Sequence, residues 1–370
     1  MPCVERLEAF VVDHGSSLRW TEQAGVCHLT TTIVRLTDSD GVEGLAGYDS
    51  YTPRPTDLSV LEALRSLSPA LLGREVDDRE GLSDDLRSGV VFPFSLAPLS
   101  LMDIALWDIA ARRAETPLWK LLGGERDRIA AYASLTTLAG EQDYLDTVAA
   151  ACAAGLRAVK VHAWGDASRD LALLERLRAE HPDLALMHDA EGVYDRDGAL
   201  HVGRGLDELG ARWYEAPLPD FDLDGYRELR RALEVPLLPA GYSMYDAQQV
   251  AEALKDPPWT AVRAEATCTF GVTGLVRLGR VAEAHGLDYE PVSYGHTLCQ
   301  AANLHVMLAS PRTGYFELPF PVEPWEYGVV EPLRPDGDGT VAAPSRPGLG
   351  VTLDWEWVEA HAAARLAMPD

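Results

Sequence analysis

The second half of the chain repeats a short apolar run followed by an amphipathic segment. The apolar runs predict eight strands, at Ile129–Ser134, Ala158–His162, Leu184–Asp189, Arg212–Glu215, Pro236–Ala240, Ala261–Glu265, Asp288–Val292 and Tyr315–Leu318. The segments between them predict helices, at Asp143–Ala154, Leu171–Glu180, Tyr245–Leu254, Val272–His285 and Leu298–Leu308. So many alternations of strand and helix favour a parallel (β/α) barrel over an open sheet.

The part of the chain before this alternation has an α+β pattern. Val26–Leu36 is rich in β-branched residues and leads into a turn at Asp38–Gly41, which is typical of a hairpin. Helical spacing predicts helices at Leu58–Leu72 and at Leu99–Leu122, the second ending at a Gly-Gly pair. The tail from about Pro319 is rich in Pro and Gly and has no further βα unit, so we expect it to return to the N-terminal part.

Composition and charge narrow the possible partners. The chain has 370 residues, of which 47% are hydrophobic, enough for one large or two medium domains. The net charge of −26 argues against nucleic-acid and anionic-membrane partners, although a pocket that concentrates cations could still bind a small anion. Five scattered cysteines without a CxxC pair, and no signal-peptide pattern at the N-terminus, predict a cytoplasmic protein with reduced thiols. No apolar run approaches the roughly 18 residues that span a membrane.

Charged side chains recur at or beside the ends of the predicted barrel strands. They are Lys160, His162, Asp189, Glu191, Glu215, Glu265 and Glu317. The carboxyl ends of the strands form the active site of a (β/α) barrel, so this row predicts an enzyme.

Lys160 and His162 lie two residues apart in one strand and therefore point the same way. A lysine can bind a carboxylate, and a histidine can abstract a proton near neutral pH. The alternative is a solvated lysine beside a structural histidine.

Asp189 and Glu215 each close an apolar strand, where neighbouring carboxylates are typical Mg²⁺ ligands. Helix capping is the alternative for Asp189.

Arg263 and Glu265 share a face by the same spacing of two residues. They could form a substrate clamp with an acid that orients a base, or an ion pair that closes the barrel mouth. His296 lies in the loop after the seventh strand, and only this position distinguishes it from an ordinary exposed histidine.

Several segments resemble the enolase superfamily, specifically its mandelate racemase and muconate lactonizing enzyme branch. They are SLMDIALWDIAARRAETPLWKLLGG, AVKVH, LMHDAEG, WYEAPL, FGVTG, VAEAHG and PSRPGLGVTLD, and together they span nearly the whole chain. The resemblance implies a modified (β/α)₇β barrel at 126–318 under an α+β capping domain built from 1–125 and 319–370. It also implies Mg²⁺ held by three carboxylates, of which Asp189 and Glu215 would be two. The ion would stabilise the enolate formed when a base removes the proton α to a carboxylate.

The sequence departs from this family at four positions. Tyr242 stands where the third metal carboxylate belongs, and a neutral phenol is a poor Mg²⁺ ligand. Glu191 stands in place of an Asn, and Glu265 replaces the Asp that orients a catalytic His. Val292 stands at the position of that His, four residues before His296.

Three interpretations of the site remain open. In the first, which we favour, Glu191 or Glu265 supplies the missing ligand and Mg²⁺ binds. In the second, the metal is lost and Arg263 with Lys160 supplies the positive charge. In the third, the protein is a non-catalytic binding relative.

The resemblance implies elimination of water from a hydroxy acid of the acid-sugar kind. Racemisation, epimerisation and cycloisomerisation are alternatives that pass through the same enolate. We expect His162 to be the base and Lys160 to assist it or to bind the substrate carboxylate. His296, oriented by Glu265, would be the acid on the other face, and Glu317 would hydrogen-bond the substrate carboxylate.

The walls of the substrate pocket are expected to come partly from the N-terminal domain. Trp20, Tyr48 and Tyr51 are the candidates there, with Arg263 and Tyr242 contributed by the barrel. The family forms dimers and larger assemblies, so the resemblance also implies a homo-oligomer.

Overall fold

The computed structural model describes residues 1–20, 22, 25–52, 56–89, 96–162 and 164–369. A four-stranded antiparallel sheet forms the centre of the capping domain, in the order β13-β1-β2-β3. Its strands are β1 Val4–Leu18, β2 Cys27–Asp38, β3 Glu43–Thr52 and β13 Ala362–Met368. Because β13 comes from the far end of the chain and pairs with β1, the tail does return to the N-terminal part.

Four helices complete the N-terminal part of the cap. They are α1 Asp57–Leu71, α2 Arg79–Gly89, α3 Ala97–Arg113 and α4 Leu118–Leu121. The prediction of one helix over Leu99–Leu122 is therefore wrong in its second half. Glu115 has a φ of 51°, outside the helical region, and Pro117 restricts its predecessor, so the helix ends and restarts.

Helix α3 links the cap to the barrel. A Cβ at Gly44 in β3 would lie 2.1 Å from the carbonyl oxygen of Ala105, so only glycine permits this close packing of sheet and helix. On its other side, α3 places the Asp103 carboxylate against Thr273, accepting bonds from its backbone N–H at 3.0 Å and its hydroxyl at 2.5 Å. Asp103 is buried, so this contact ties the two domains together.

The eight predicted barrel strands are all present. They are β4 Arg128–Leu135, β5 Ala158–His162, β6 Ala185–Asp189, β7 Trp213–Glu215, β8 Leu237–Leu238, β9 Ala261–Val262, β10 Asp288–Tyr289 and β11 Tyr315–Pro319. Parallel pairing runs β11-β4-β5-β6-β7-β8, and β9 pairs with β10. Between β8 and β9, a backbone hydrogen bond runs from Thr260 N–H to the Leu237 carbonyl (2.9 Å). Between β10 and the segment that leads into β11, another runs from Tyr289 N–H to the Arg312 carbonyl (3.1 Å).

Helices follow most of the barrel strands and cover the outside of the barrel. They are α5 Glu141–Ala153, α6 Ala167–Glu180, α7 Arg196–Leu209, α8 Leu223–Ala232, α9 Ala247–Ala253, α10 Gly271–Ala284 and α11 Thr297–Ala309. The fold prediction is confirmed: an α/β barrel carries an α+β capping domain. In the tail, β12 Thr340–Ala342 pairs antiparallel with β4, and α12 Trp355–Ala360 precedes β13. None of the helices in the described ranges is long and apolar enough to cross a membrane.

Candidate active site

The ammonium group of Lys160 lies at the centre of three buried carboxylates. Its Nζ is 3.1 Å from Asp189 Oδ2, 3.0 Å from both carboxylate oxygens of Glu215 and 2.8 Å from Glu317 Oε1. Asp189 and Glu215 are the last residues of β6 and β7, and Glu317 lies within β11, so barrel closure brings the three carboxylates together. Burial alone would lower the pKa of Lys160, but Glu215 and Glu317 outweigh it and raise the pKa well above its usual value.

Arg263 joins two of these carboxylates from the other side. Its Nε lies 2.7 Å from Glu215 Oε1, and its Nη2 lies 2.8 Å from Glu317 Oε2. Ser134 Oγ donates to Glu317 Oε1 at 2.8 Å. Burial would raise the pKa of Glu317, but Lys160 and Arg263 lower it to about 2, so this carboxylate is ionised. Both cations are buried, and the centre of the site is a buried ion cluster.

His162 lies at the edge of this cluster with its ring held in one orientation. Its Nδ1 is 2.6 Å from the Leu135 carbonyl oxygen, an acceptor, so Nδ1 carries the hydrogen. Its Nε2 then faces Asp189 Oδ2 at 3.0 Å and Glu191 Oε1 at 3.2 Å. Burial would lower the pKa of His162, but the two carboxylates outweigh it and raise it to about 10.

The carboxylate of Asp189 is not a helix cap. The helix after its strand, α7, is capped by Asp195, whose side chain accepts from the Gly198 N–H. Asp189 instead accepts from the Glu191 N–H at 3.0 Å through its second oxygen. Glu191 itself has a φ of 53°, a conformation that residues other than glycine rarely adopt, and this turn directs its exposed side chain toward His162.

These residues line a cavity of about 130 Å³ beneath the capping domain. Its lining residues are Trp20, Lys160, His162, Asp189, Glu191, Glu215, Ala240, Tyr242, Arg263, Val292, Tyr294 and Glu317. The ring of Trp20 lies 5.1 Å from that of His162 and 4.8 Å from that of Tyr294, so the cap contributes one wall. Tyr294 was not predicted, and it lines the cavity together with Val292 from the segment after β10.

A second cavity of about 210 Å³ adjoins the first. It is lined by Tyr48, Asp49, Tyr242, Glu265, Thr267, Cys268, Tyr294 and Cys299. Tyr242 and Tyr294 line both cavities, and Tyr242 is half exposed (51%) between them. Tyr48 thus faces the second cavity, while the side chain of Tyr51 lies outside the described part of the chain.

His296 and Glu265 lie apart from the ion cluster. His296 is buried beside α11, where Nδ1 accepts from the Leu298 N–H at 3.3 Å and Nε2 lies 2.9 Å from the Tyr327 carbonyl oxygen. Burial lowers its pKa. The Glu265 carboxylate accepts from the N–H and the hydroxyl of Thr267. The predicted pairing of these two residues as an acid and its orienting partner does not match these positions, because both are occupied by local capping bonds.

The donor set does not fit Mg²⁺ in the arrangement that the resemblance implied. Among the described residues, the side chains of His162, Asp189 and Glu191 form a group whose ligand atoms lie within 4.8 Å of one another. This group contains a nitrogen and omits Glu215, whereas Mg²⁺ prefers six oxygen ligands. Glu215 is engaged by Lys160 and Arg263 instead. Glu265 faces the second cavity and is not part of the group, so it does not supply the missing ligand.

Two family models match this chain. The model described as mandelate racemase/muconate lactonizing enzyme, N-terminal domain, matches residues 7–123, and the one described as enolase C-terminal domain-like matches residues 143–357. The second match alone covers more than half of the chain. The chain belongs to the enolase superfamily, in its mandelate racemase and muconate lactonizing enzyme branch.

Individual relatives cover almost the whole length. A solved structure from Pseudovibrio sp., assigned to the same branch, has a TM-score of 0.96 and 31% identity over 100% of both chains. The 3,6-anhydro-α-L-galactonate cycloisomerase of Streptomyces coelicolor is 30% identical over 87% of this chain and 89% of its own. The L-talarate/galactarate dehydratase of Salmonella typhimurium is 26% identical over 90% of this chain and 82% of its own. Its structure with Mg and L-lyxarohydroxamate has a TM-score of 0.89 at 22% identity, covering 100% of this chain and 95% of that one.

Proposed function

We propose that this protein removes the proton α to the carboxylate of a small hydroxy acid and eliminates water from it. Relatives named as dehydratases support this class of reaction. The observation that carries it is the cavity itself, because one oriented histidine and two buried cations line the same space of about 130 Å³. The expected substrate carries hydroxyl groups, as acid sugars do.

His162 is the proposed proton carrier. Its Nδ1–H is held by the Leu135 carbonyl, so the lone pair of the neutral ring lies on Nε2, beside the carboxylates of Asp189 and Glu191 in the cavity wall. Nε2 takes the α-proton, and the imidazolium then returns that proton to the departing β-hydroxyl, which leaves as water. One histidine therefore serves as base and then as acid, and the net change is loss of one water molecule.

Lys160 and Arg263 stabilise the negative charge that develops on the substrate carboxylate. A preorganised cation in a dry site acts without reorganisation at the moment of reaction, which makes it effective. Glu317 is ionised and is held by both cations and by Ser134, so it repels a carboxylate and serves as a positioning residue. This revises its expected role as a direct substrate contact.

The residues in the cavity wall at Val292 favour elimination over racemisation. A two-base racemase needs a second proton carrier on the opposite side of the α-carbon, and the superfamily position for it is Val292. The cavity wall there is Val292 and Tyr294, and His296 is tied to backbone groups. Cycloisomerisation also needs a single carrier, and the relative from Streptomyces coelicolor at 30% identity makes it the second candidate.

The second cavity would hold the remainder of the substrate. Tyr48 and Tyr242 line it, with hydroxyl groups that can donate to or accept from sugar hydroxyls. Trp20 would cover the reacting end. A homo-oligomeric state and a cytoplasmic location stay predictions of the sequence.

A panel of hydroxy acids in D₂O tests the proposal. Dehydration should give a keto acid with a solvent deuteron next to the new carbonyl, seen by NMR, and His162→Asn should abolish product. The matched control is His201→Asn on the exposed surface of α7, which should retain full activity. No product and no α-deuterium from any acid would contradict the proposal, as would turnover retained in His162→Asn.

A further inference from the structure

We infer that Lys160 takes the place of the divalent ion in this chain, and that its ammonium group keeps such ions out of the Asp189–Glu215 site. The relative from Salmonella typhimurium was solved with Mg at comparable fold geometry. The present chain carries the same type of barrel with a different set of charges at its centre. Four observations support the substitution.

The first observation is that both carboxylate oxygens of Glu215 already contact positively charged or N–H groups of the protein. Lys160 Nζ lies 3.0 Å from each of its two oxygens. Arg263 Nε lies 2.7 Å from Oε1, and Trp213 Nε1 donates to Oε2 at 3.3 Å. An ion at Glu215 would need to displace Lys160 from a position where it also contacts Asp189 and Glu317.

The second observation concerns the loop after β8, where the family's third metal carboxylate is replaced by Tyr242. Hydrogen bonds hold the backbone of this loop in place. Asp220 accepts backbone N–H bonds from Ala240, Gly241, Tyr242 and Ser243, at 2.7 to 3.4 Å. This fixes the loop after β8 and leaves the phenol of Tyr242 half exposed between the two cavities. A phenol at this position offers no carboxylate to a cation.

The third observation is the charge already present. Lys160 and Arg263 face the carboxylates of Asp189, Glu215 and Glu317, and all five side chains are buried. A divalent ion beside an ammonium group at such distances would be strongly repelled, because buried charges are poorly screened. The positive charge that a metal ion provides in the family is therefore provided here by Lys160 and Arg263.

The fourth observation is that Lys160 is anchored on all sides, so it cannot swing aside easily. Its Nζ contacts four carboxylate oxygens from three strands and lies 5.7 Å from the centre of the Tyr132 ring. The role of this ammonium group in stabilising an enolate rests on the proposed function. The exclusion of metal does not, and it can be measured by binding alone.

Four proteins test the inference: the wild type, Tyr242→Glu, Lys160→Met/Tyr242→Glu, and the control Lys255→Met/Tyr242→Glu, whose lysine is exposed. Each is stripped with EDTA, equilibrated with Mg²⁺ or with Mn²⁺, and assayed for bound metal by mass spectrometry and for melting temperature. We expect no bound ion and no shift in melting temperature for the wild type, Tyr242→Glu and the control. Lys160→Met/Tyr242→Glu should bind about one ion per chain and melt a few degrees higher with it.

A wild-type protein that retains about one Mg²⁺ or Mn²⁺ per chain, or that melts higher with either ion, would overturn the inference. If His162→Asn then removed the ion, it would lie at His162, Asp189 and Glu191. Should the double variant fail to fold, the wild type and Tyr242→Glu still decide the question. Absence of turnover with every acid would count against the proposed function and leave the metal result unchanged.

Discussion

The Nζ of Lys160 lies 3.0 Å from each carboxylate oxygen of Glu215, inside a barrel where both side chains are buried. An ammonium group in this position stabilises the fold only as long as its partners remain, because every charge removed leaves another unpaired. Removal of one partner of a buried ion pair typically costs about 3–5 kcal/mol.

Lys160→Met should therefore lower the free energy of unfolding by about 3–5 kcal/mol at neutral pH in the absence of divalent ions. Chemical denaturation followed by circular dichroism measures this. Lys255→Met, at an exposed lysine, should change it by less than about 0.5 kcal/mol. Equal effects of the two substitutions would show that Lys160 contributes no more to the free energy of unfolding than an exposed lysine does.

Arg263→Lys keeps the positive charge but loses the two-nitrogen contact of the guanidinium with two carboxylates. The guanidinium reaches Glu215 through Nε and Glu317 through Nη2, and a single ammonium nitrogen cannot hold both carboxylates in the same way. We expect kcat/KM to fall by about 10²-fold while the melting temperature changes little, since misplacing a charge by about 1 Å can cost that much. Steady-state kinetics with the accepted acid measures it, and an unchanged kcat/KM would remove Arg263 from the site chemistry.

The rate should rise with pH through the neutral range. The carboxylates of Asp189 and Glu191 raise the pKa of His162 to about 10 against the effect of burial, so the imidazolium form predominates at neutral pH. If the neutral ring is the base, kcat/KM increases about tenfold per pH unit and levels off near pH 10. A rate that is flat at neutral pH and falls above pH 10 would instead assign the protonated ring as the reacting form.

The free energy of unfolding should depend on pH through the carboxyl group of Asp103, which lies outside the active site. Burial raises the pKa of Asp103 to about 7, despite the bonds from Thr273, whereas an unfolded Asp titrates near 3.8. The folded protein therefore binds this proton more tightly, and the free energy of unfolding falls as the pH rises from about 4 through 7, by up to a few kcal/mol. Asp103→Asn should flatten this part of the curve, as measured by denaturation at a series of pH values. A profile identical to that of the wild type would contradict the assignment.

The barrel could be predicted because its signal is local. Each of the eight strands is a short apolar run, and the spacing of two residues correctly placed Lys160 and His162 on one face. Tyr294 escaped this logic because it lies beyond the end of β10, where the spacing of two residues no longer defines a face. The helix over Leu99–Leu122 was wrong because the break depends on the backbone of Glu115, which apolar spacing does not record.

The partners of Lys160 and His296 could not be predicted in the same way. Which carboxylates an ammonium group reaches depends on how strands far apart in sequence meet, and Glu317 follows Lys160 by 157 positions in the chain. The position of His296 after the seventh strand suggested a role in the cavity. The helix start at α11 and the Tyr327 carbonyl use both of its ring nitrogens instead.

The pairing of β13 with β1 also has a consequence for the order in which the protein assembles on the ribosome. Leu7 lies opposite Met368, so β1 can pair with β2 early but with β13 only when nearly the whole of this sequence has been made. The barrel strands emerge in the interval and can pair with one another in order of synthesis, except that β4 must wait for β11. Completion of the capping sheet is thus a late event, because the last of its four strands is made after every strand of the barrel.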